Sequence, residues 1–253
     1  MKIKVGAVSY LNTKPMLIGL NNSAISGSIE LLLDHPAGLT SLIQKGEIDI
    51  GLLPVGALSE IGAYSIISDY CIGTIQEVAS VAVFSEVPME NIENVFLDYQ
   101  SRTSVLLCQI LFKKLWKKNV RFVRASGDSY LDEIKGTTAG LIIGDRALAY
   151  RKKSTYIYDL GIGWKELTGL PFVFAVWVAK TKPDNTFMSQ FNEAVGSGIQ
   201  QIVSSSATEV FSGYNLYKYF TENISYHLDQ DKLAGLQLFL DEVNQIEPLT
   251  VAN

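Results

Sequence analysis

The sequence has few cysteines and no long apolar run, and these two features argue against a disulfide-linked protein and a membrane-spanning one. Its two cysteines, Cys71 and Cys108, have no CxxC spacing, so we predict reduced packing residues rather than a disulfide or a metal pair. No apolar run approaches the roughly 18 residues of a membrane span. The first residues predict a strand rather than a signal peptide. We therefore expect a cytoplasmic protein with no membrane partner.

Basic charge is also scarce, with 21 Lys and Arg against 26 Asp and Glu, a net charge of −5. The basic residues are scattered, which argues against a nucleic-acid partner. No cluster of His, Cys or carboxylates has the spacing of metal ligands, so we predict no metal site. A small anionic ligand is compatible with this charge, because salt screens distant charges beyond about 8 Å and leaves local donors to decide affinity.

Short apolar strands alternate with helical patterns along the whole chain, which predicts an α/β fold with a largely parallel sheet. Two extended apolar runs, 78–84 and 172–179, flank the middle section and are long enough to connect two lobes as paired hinge strands. We expect residues 1–83 and 176–253 to form lobe I and residues 84–175 to form lobe II. A ligand cleft would then lie between the lobes.

Two polar segments stand where predicted strands end and helices begin. Asn12 follows the first strand and precedes a helix opened by Pro15, and Ser101–Ser104 precede an apolar helix. The carboxyl edge of such a sheet is where ligands bind, and helix N-termini attract anions. The two segments therefore predict one anionic ligand between opposing walls. Capping of their helices is the alternative role for Ser101 and Thr103, and the two readings are evenly balanced.

Several motifs in this order resemble the chorismate dehydratases of the futalosine route to menaquinone. The resemblance runs from residue 3 to about residue 180 and thins in the C-terminal helices. Its motifs are Tyr10-Leu11-Asn12 with Pro15, Leu97-Asp98 with Ser101–Val105, Ile143-Gly144-Asp145 with Ala147-Leu148, and Asp159-Leu160-Gly161 with Trp164 and Thr168–Ala175.

The resemblance implies a two-lobed fold like that of type II periplasmic binding proteins, with ligand cleft and two hinge strands. It also implies an enzyme that removes water from chorismate to give 3-[(1-carboxyvinyl)oxy]benzoate. The family's functional asparagine and serine fall on Asn12 and Ser80. A turn-forming role is the alternative for Asn12, and packing in a hinge strand is the alternative for Ser80.

The chemistry of a dicarboxylate substrate suggests further binding residues. We predict that Ser101, Thr103, Ser104 and the helix start hold one carboxylate, with Arg102 either paired to the other carboxylate or on the outside. The aromatic residues Tyr10, Trp164, Phe172 and Phe174 are candidates to wall the substrate ring, although at most two should touch it.

Aromatisation drives the dehydration, so no cofactor is expected. Asn12 cannot act as a base because an amide has no useful proton-accepting pKa. Asp145 follows a strand at the ligand edge and is therefore a candidate substrate-binding residue. Its position favours capping of the next helix over catalysis. His35 precedes Pro36 at a helix start, where a structural role is favoured. We therefore predict that the enolpyruvyl carboxylate of the substrate accepts the proton.

Two other functions fit the same sequence. A non-catalytic protein that binds a small anion would use the same fold, because fold does not decide function. The 1,4-dihydroxy-6-naphthoate synthase of the same pathway is a related enzyme, but the opening segment around Asn12 resembles the dehydratase instead. The sequence leaves the oligomeric state open.

Overall fold

The structure is a computed structural model that describes residues 2–206 and 208–246. The helices are α1 (Lys14–Asn21), α2 (Pro36–Lys45), α3 (Arg102–Lys114), α4 (Gly144–Tyr150), α5 (Leu160–Thr168), α6 (Asn185–Ser205), α7 (Leu216–Lys218) and α8 (Gln230–Asn244). The strands are β1 (Ile3–Ala7), β2 (Ile29–Leu33), β3 (Ile50–Pro54), β4 (Ser65–Thr74), β5 (Val81–Ser85), β6 (Asn94–Leu97), β7 (Arg121–Arg124), β8 (Thr138–Ile143), β9 (Tyr156–Asp159), β10 (Phe172–Ala179), β11 (Val210–Phe211), β12 (Tyr214–Asn215) and β13 (Ser225–His227). Short 3₁₀ turns include Leu11–Thr13 and Val55–Glu60, and a π-helical turn covers Tyr219–Asn223.

Two sheets organise the chain. The first has the strand order β13-β4-β10-β3-β1-β2, and the second has the order β7-β6-β8-β5-β9. In the first sheet β1 pairs in parallel with β2 and β3, whereas β10 and β13 pair antiparallel. In the second sheet β6 pairs in parallel with β7 and β8, whereas β5 pairs antiparallel with β8 and β9.

The expectation of a largely parallel sheet is therefore wrong, because both sheets are mixed. The α/β alternation correctly indicates β1, β2 and β3, which are joined by helical crossovers. The antiparallel neighbours come from elements that return from the other sheet or from the C-terminal part of the chain. Strand order in space is a tertiary property that alternation along the sequence does not determine.

The two apolar runs that flank the middle section each form a strand, and each strand lies within one sheet. β5 is flanked by β8 and β9, and β10 is flanked by β3 and β4. The expected lobe boundaries at 83/84 and 175/176 fall inside these two strands. The chain crosses between the sheets at residues 75–80 and again at residues 160–171, which include α5.

One hydrophobic core extends under both sheets. Val5 and Leu52 of the first sheet belong to the same buried cluster as Val83 of the second sheet and Leu107 of α3. Both cysteines are free and buried in this region. None of the helices in the described ranges combines the length and the hydrophobicity that crossing a bilayer requires.

Helix α1, which follows the Asn12 turn, packs directly on α6. A side chain at Gly19 would overlap the backbone at Ala194, and one at Gly198 would overlap the backbone at Pro15. The two helices therefore approach at backbone distance, because neither glycine carries a side chain. This close packing determines where the turn before α1 lies.

Candidate functional site

A cavity of about 70 Å³ lies between the two sheets. Five of the eight site residues predicted from the sequence line it, namely Tyr10, Asn12, Ser80, Ser101 and Ser104. They come from three separate segments of the chain. The structure therefore brings together the Asn12 segment, the Ser80 segment and the start of α3, as a site between two walls requires.

Asn12 is held by its backbone in the 3₁₀ turn that joins β1 to α1. The Tyr226 hydroxyl donates to the Asn12 carbonyl oxygen at 3.0 Å, and the Thr13 hydroxyl donates to the Asn12 side-chain oxygen at 3.3 Å. The neighbouring amide of Leu11 donates to Asp145 at 3.2 Å. The side-chain amide is thus presented from a turn that both sheets stabilise.

Ser80 follows a tight turn with an unfavourable backbone conformation. The Ser80 amide donates to the carbonyl of Val78 at 2.7 Å, and Ala79 between them has a φ of 62°. A residue with a side chain rarely adopts this conformation, and such strain persists only where the surroundings impose it. The turn places the buried Ser80 hydroxyl at the cavity.

The Asp159 carboxylate holds this turn in place. It accepts hydrogen bonds from the amides of Val78 at 3.1 Å and Ala79 at 2.8 Å, and it caps α5 through Gly161 at 2.9 Å and Ile162 at 3.2 Å. Burial raises the pKa of Asp159 to about 6, although the amide hydrogen bonds oppose the shift. One side chain therefore couples the Ser80 turn to the helix of the second crossing.

Tyr219 connects the two catalytic candidates and was not among the residues predicted from the sequence. Its hydroxyl donates to the Ser80 hydroxyl oxygen at 2.9 Å, and the Asn12 side chain is a second polar neighbour. The residue is fully buried, and burial raises the pKa of its phenol, so it keeps its proton at neutral pH. The sequence signal for this residue was a tyrosine-rich connection near residue 219. Nothing in that connection indicates which tyrosine faces Ser80, so the sequence did not predict Tyr219.

Ser101 and Ser104 show that capping and cavity lining can coincide. The Ser101 hydroxyl accepts from the Ser104 amide at 3.1 Å and caps α3, and the two hydroxyl oxygens are 2.9 Å apart. Both side chains also line the cavity. The capping alternative for Ser101 is thus confirmed, and its place at the cavity leaves ligand binding as a prediction.

Thr103 lies in the same segment, but its hydroxyl forms its hydrogen bonds within the protein. It accepts from the Gly56 amide at 3.0 Å and donates to the Phe174 carbonyl at 3.4 Å, and the side chain is buried. Phe174 lies in β10 of the first sheet, and Gly56 lies in the 3₁₀ turn that follows β3 of the same sheet. The prediction that this hydroxyl faces a ligand at the cavity is not met, because the α3 helix directs it toward Gly56 and Phe174.

Arg102 lies on the outside, one of the two positions expected for it. Its guanidinium forms an ion pair with Glu60, and 57% of its side chain is exposed. It lines a separate groove of about 610 Å³ on the other side of α3. The side chain does not reach the cavity that contains Asn12 and Ser80.

Asp145 stands in the first turn of α4, where Ile143 is the N-cap position. The expectation that Asp145 caps this helix is wrong. Its carboxylate accepts instead from the Leu11 amide at 3.2 Å. Burial raises its pKa, and the Leu11 hydrogen bond opposes that shift.

His35, in contrast, has the structural role expected, since its Nδ1 accepts from the Gly38 amide at 2.8 Å at the start of α2.

Tyr10 separates the inner cavity from an outer one of about 350 Å³, which Tyr99 and Gln100 also line. Its hydroxyl donates to Gln100 Oε1 at 3.2 Å across the cleft. Burial, and then the charge of Asp98, raise the pKa of Tyr10 to about 12. Tyr10 is therefore a neutral donor at the mouth of the inner cavity.

Two of the four aromatic candidates reach the cavity. Tyr10 and Phe174 line it, whereas Trp164 and Phe172 are buried and pack edge to face against each other and against Phe239. The expectation that at most two of them touch a ligand stays a prediction.

The inner cavity offers neutral donors rather than cations. Within the described ranges its lining includes no Lys or Arg side chain. Hydroxyls, the Asn12 amide and the start of the 13-residue helix α3 supply the donors. Such groups bind carboxylates through directed hydrogen bonds and the positive end of the helix dipole.

Comparison with known proteins identifies the family of this chain. A family model described as menaquinone biosynthesis matches residues 3–245, so the match extends beyond the region of resemblance read from the motifs. A chorismate dehydratase from Thermus thermophilus is 26% identical over 260 residues, covering 94% of this chain and 93% of that protein.

Solved structures show the fold. A protein from Archaeoglobus fulgidus matches with a TM-score of 0.70 at 13% identity, covering 96% of this chain and 97% of that one. A Candida albicans protein with the generic periplasmic binding protein fold has a TM-score of 0.64 at 14% identity, covering 98% and 92%. The aliphatic sulphonate binding protein of Escherichia coli has a TM-score of 0.63 at 11% identity, covering 96% and 92%. The chain therefore has the two-lobed, type II periplasmic-binding-protein fold.

Proposed function

The chain belongs to the menaquinone biosynthesis family, and on that premise we propose that it is a chorismate dehydratase, a carbon–oxygen lyase that forms 3-[(1-carboxyvinyl)oxy]benzoate. The observation that carries this proposal is the meeting of Asn12 and Ser80 at one cavity between the sheets. The two residues lie far apart in the sequence, and both were assigned from the family resemblance. The reaction would place the protein in the cytoplasmic futalosine route.

The reaction needs a polarised substrate more than a strong base. The ring hydrogen lies on the carbon that bears the enolpyruvyl ether, and the ring carboxylate acidifies it through the adjacent double bond. Its removal builds negative charge on that carboxylate, and loss of the hydroxyl then yields an aromatic ring. Aromatisation supplies the driving force without a cofactor, and preorganised donors lower the barrier.

In this proposal, one substrate carboxylate is held by Ser101, Ser104 and the N-terminus of α3, which meet at the cavity. Ser80 would donate to the leaving hydroxyl, and Asn12 would orient the substrate. Tyr10 and Phe174 would bracket the ring. The cavity is far smaller than the roughly 300 Å³ of a typical ligand pocket, so the lobes must part for chorismate to enter.

The proton acceptor follows from what faces the cavity. The Asp145 carboxylate already accepts from the Leu11 amide, and the lining contributed by the described residues contains no carboxylate. We therefore assign the proton to the enolpyruvyl carboxylate of the substrate. The protein would position this carboxylate and stabilise the developing charge.

The test is to incubate the purified protein with chorismate, without added metal or cofactor, and to follow by mass spectrometry an aromatic product that is lighter by one water. We expect conversion by the wild type and its loss in Asn12→Ala, because that variant removes the amide that orients the substrate. Asn185→Ala changes an exposed asparagine of α6 and serves as the matched control.

Each outcome separates the candidate functions. Conversion that Asn12→Ala abolishes and Asn185→Ala preserves supports the dehydratase. Thermal stabilisation by chorismate without conversion favours a binding protein of the same fold, as with the sulphonate-binding relative. Absence of both responses rejects chorismate as the ligand and leaves the naphthoate-forming reaction to be tested.

A further inference from the structure

The Tyr219 hydroxyl stands behind the cavity, in contact with Ser80 and beside Asn12. The residue is completely buried and begins the π-helical turn of the C-terminal segment. A buried phenol with a single proton has to direct that proton to one acceptor. The geometry identifies this acceptor as the Ser80 hydroxyl oxygen, at 2.9 Å.

This hydrogen bond decides what Ser80 can do. The alternative acceptor for the Ser80 proton is the Val78 carbonyl at 3.5 Å, which is at the limit of a hydrogen bond. Once the Ser80 oxygen accepts from Tyr219, its own proton is available to the cavity. Hydrogen bonds in such a chain strengthen one another in a low-dielectric interior, so Ser80 becomes a better donor.

The chain segment around Tyr219 makes several contacts that end on the same site. Asn223, in the same turn, donates to the Glu77 carbonyl at 3.2 Å, just before the strained turn that presents Ser80. The Tyr214 ring packs edge to face on Tyr219, and the Tyr226 hydroxyl holds the Asn12 carbonyl. One segment of the chain, residues 214–226, thus anchors both sides of the cavity.

We propose that Tyr219 is a positioning residue for the dehydration, which aims the Ser80 hydroxyl at the leaving hydroxyl of the substrate. This inference rests on the proposed dehydratase function. Tyr219 remains protonated throughout and undergoes no net chemical change. Its contribution is to the transition state, in which the Ser80 proton is drawn toward the departing oxygen.

The test compares steady-state kinetics of the wild type, Tyr219→Phe and Tyr150→Phe with chorismate. Tyr219→Phe removes one oxygen and retains the buried ring, so we expect kcat to fall about tenfold, the size of one lost hydrogen bond, with KM changed less than about twofold. Tyr150→Phe removes a hydroxyl that donates to the Leu131 carbonyl at 3.2 Å, within the second lobe. It should leave both constants unchanged, and thermal melting shows whether each variant folds.

A double variant separates positioning from general stability. If Tyr219 acts through Ser80, then Ser80→Ala and the Ser80→Ala/Tyr219→Phe pair should turn over chorismate at the same rate in long incubations. The double variant removes both hydrogen-bonding partners, which costs less stability than leaving one unpaired. It therefore provides the test even if Tyr219→Phe alone does not fold.

The outcomes are distinct. A selective loss of kcat in Tyr219→Phe, with no further loss in the double variant, supports the inference. An unchanged kcat in Tyr219→Phe overturns it while leaving the dehydratase function standing. So does a double variant that is slower than Ser80→Ala by the same factor by which Tyr219→Phe is slower than the wild type. A wild type that does not convert chorismate overturns both.

Discussion

At the scale of single residues, neighbouring hydroxyls in the first turn of α3 have different roles. Ser104 lines the cavity, whereas Thr103 one position earlier bonds to Gly56 and Phe174. A helix turns by about 100° per residue, so adjacent side chains cannot share one direction. The segment's composition therefore marks a polar helix start without showing which hydroxyl meets the ligand.

Replacing Thr103 by Val should lower stability and leave substrate binding intact. The variant deprives the buried Gly56 amide of its acceptor, which costs about 1–3 kcal/mol of the free energy of unfolding. Urea denaturation measures this loss, and Thr103→Ser, which retains the hydroxyl, is the control. A large rise in the KM for chorismate without a loss of stability would restore the ligand-binding role to Thr103.

At the scale of elements, the turn that presents Ser80 depends on a carboxylate at the end of the neighbouring strand of the second sheet. Asp159 ends β9 and caps α5, yet two of its four amide donors belong to residues 78 and 79. Arg151 adds a hydrogen bond to the Ala79 carbonyl at 3.0 Å and an ion pair with Glu77. These contacts maintain a conformation that Ala79 alone would avoid.

The raised pKa of Asp159 predicts a pH dependence of stability. The folded-state pKa is about 6, against about 3.9 for an unfolded Asp, so the folded protein binds more protons between these values. The free energy of unfolding due to this group therefore rises as the pH falls from 7 toward 4, by about 1 kcal/mol between pH 7 and pH 5.

Urea denaturation at pH 7 and pH 5 checks this dependence against Asp159→Asn, which cannot titrate. The stability difference between the wild type and the variant should be larger at pH 5 than at pH 7. The variant should also be less stable at both values, because an amide nitrogen cannot accept from the backbone amides. Parallel pH profiles for the two proteins would exclude Asp159 as the titrating group.

At the scale of the whole molecule, the two lobes share a core and polar contacts. The main buried cluster includes residues of both sheets and of α3. Lys114 of α3 pairs with Glu242 of α8, and Leu11 bonds to Asp145 across the cleft. Lobes that are joined in this way should not unfold independently.

Urea unfolding should therefore show one transition in both lobes. Trp177 lies in β10 of the first sheet, and Trp116 packs on Phe112 and Tyr158 beside the second. Variants that retain only one of these tryptophans, with the others replaced by Phe, should give coincident midpoints by fluorescence and by circular dichroism. As the control, the fluorescence midpoint of each variant is compared with the circular-dichroism midpoint of the same variant. Different midpoints from the two methods would show that each lobe folds alone.

Much of the local structure could be predicted from the sequence. β10 is observed at the predicted residues 172–179, and α3 at 102–114 where the apolar pattern begins at residue 104. Asn12 lies in the expected turn before a helix that carries Pro15 in its first turn. These features depend on hydrophobic periodicity and on residue-specific backbone preferences, which act over a few neighbouring residues.

Other parts of the candidate site depend on contacts between distant segments. The Tyr219 hydroxyl reaches Ser80 across 139 positions of the chain, and the Asp145 carboxylate reaches the Leu11 amide across 134. The sequence by itself determined the α/β alternation, the Asn12 turn and the polar start of α3, because local interactions suffice for them. Only the tertiary structure decided the mixed strand order, the outward position of Arg102 and the partner of Tyr219, because packing of both sheets on one core chooses which side chains meet.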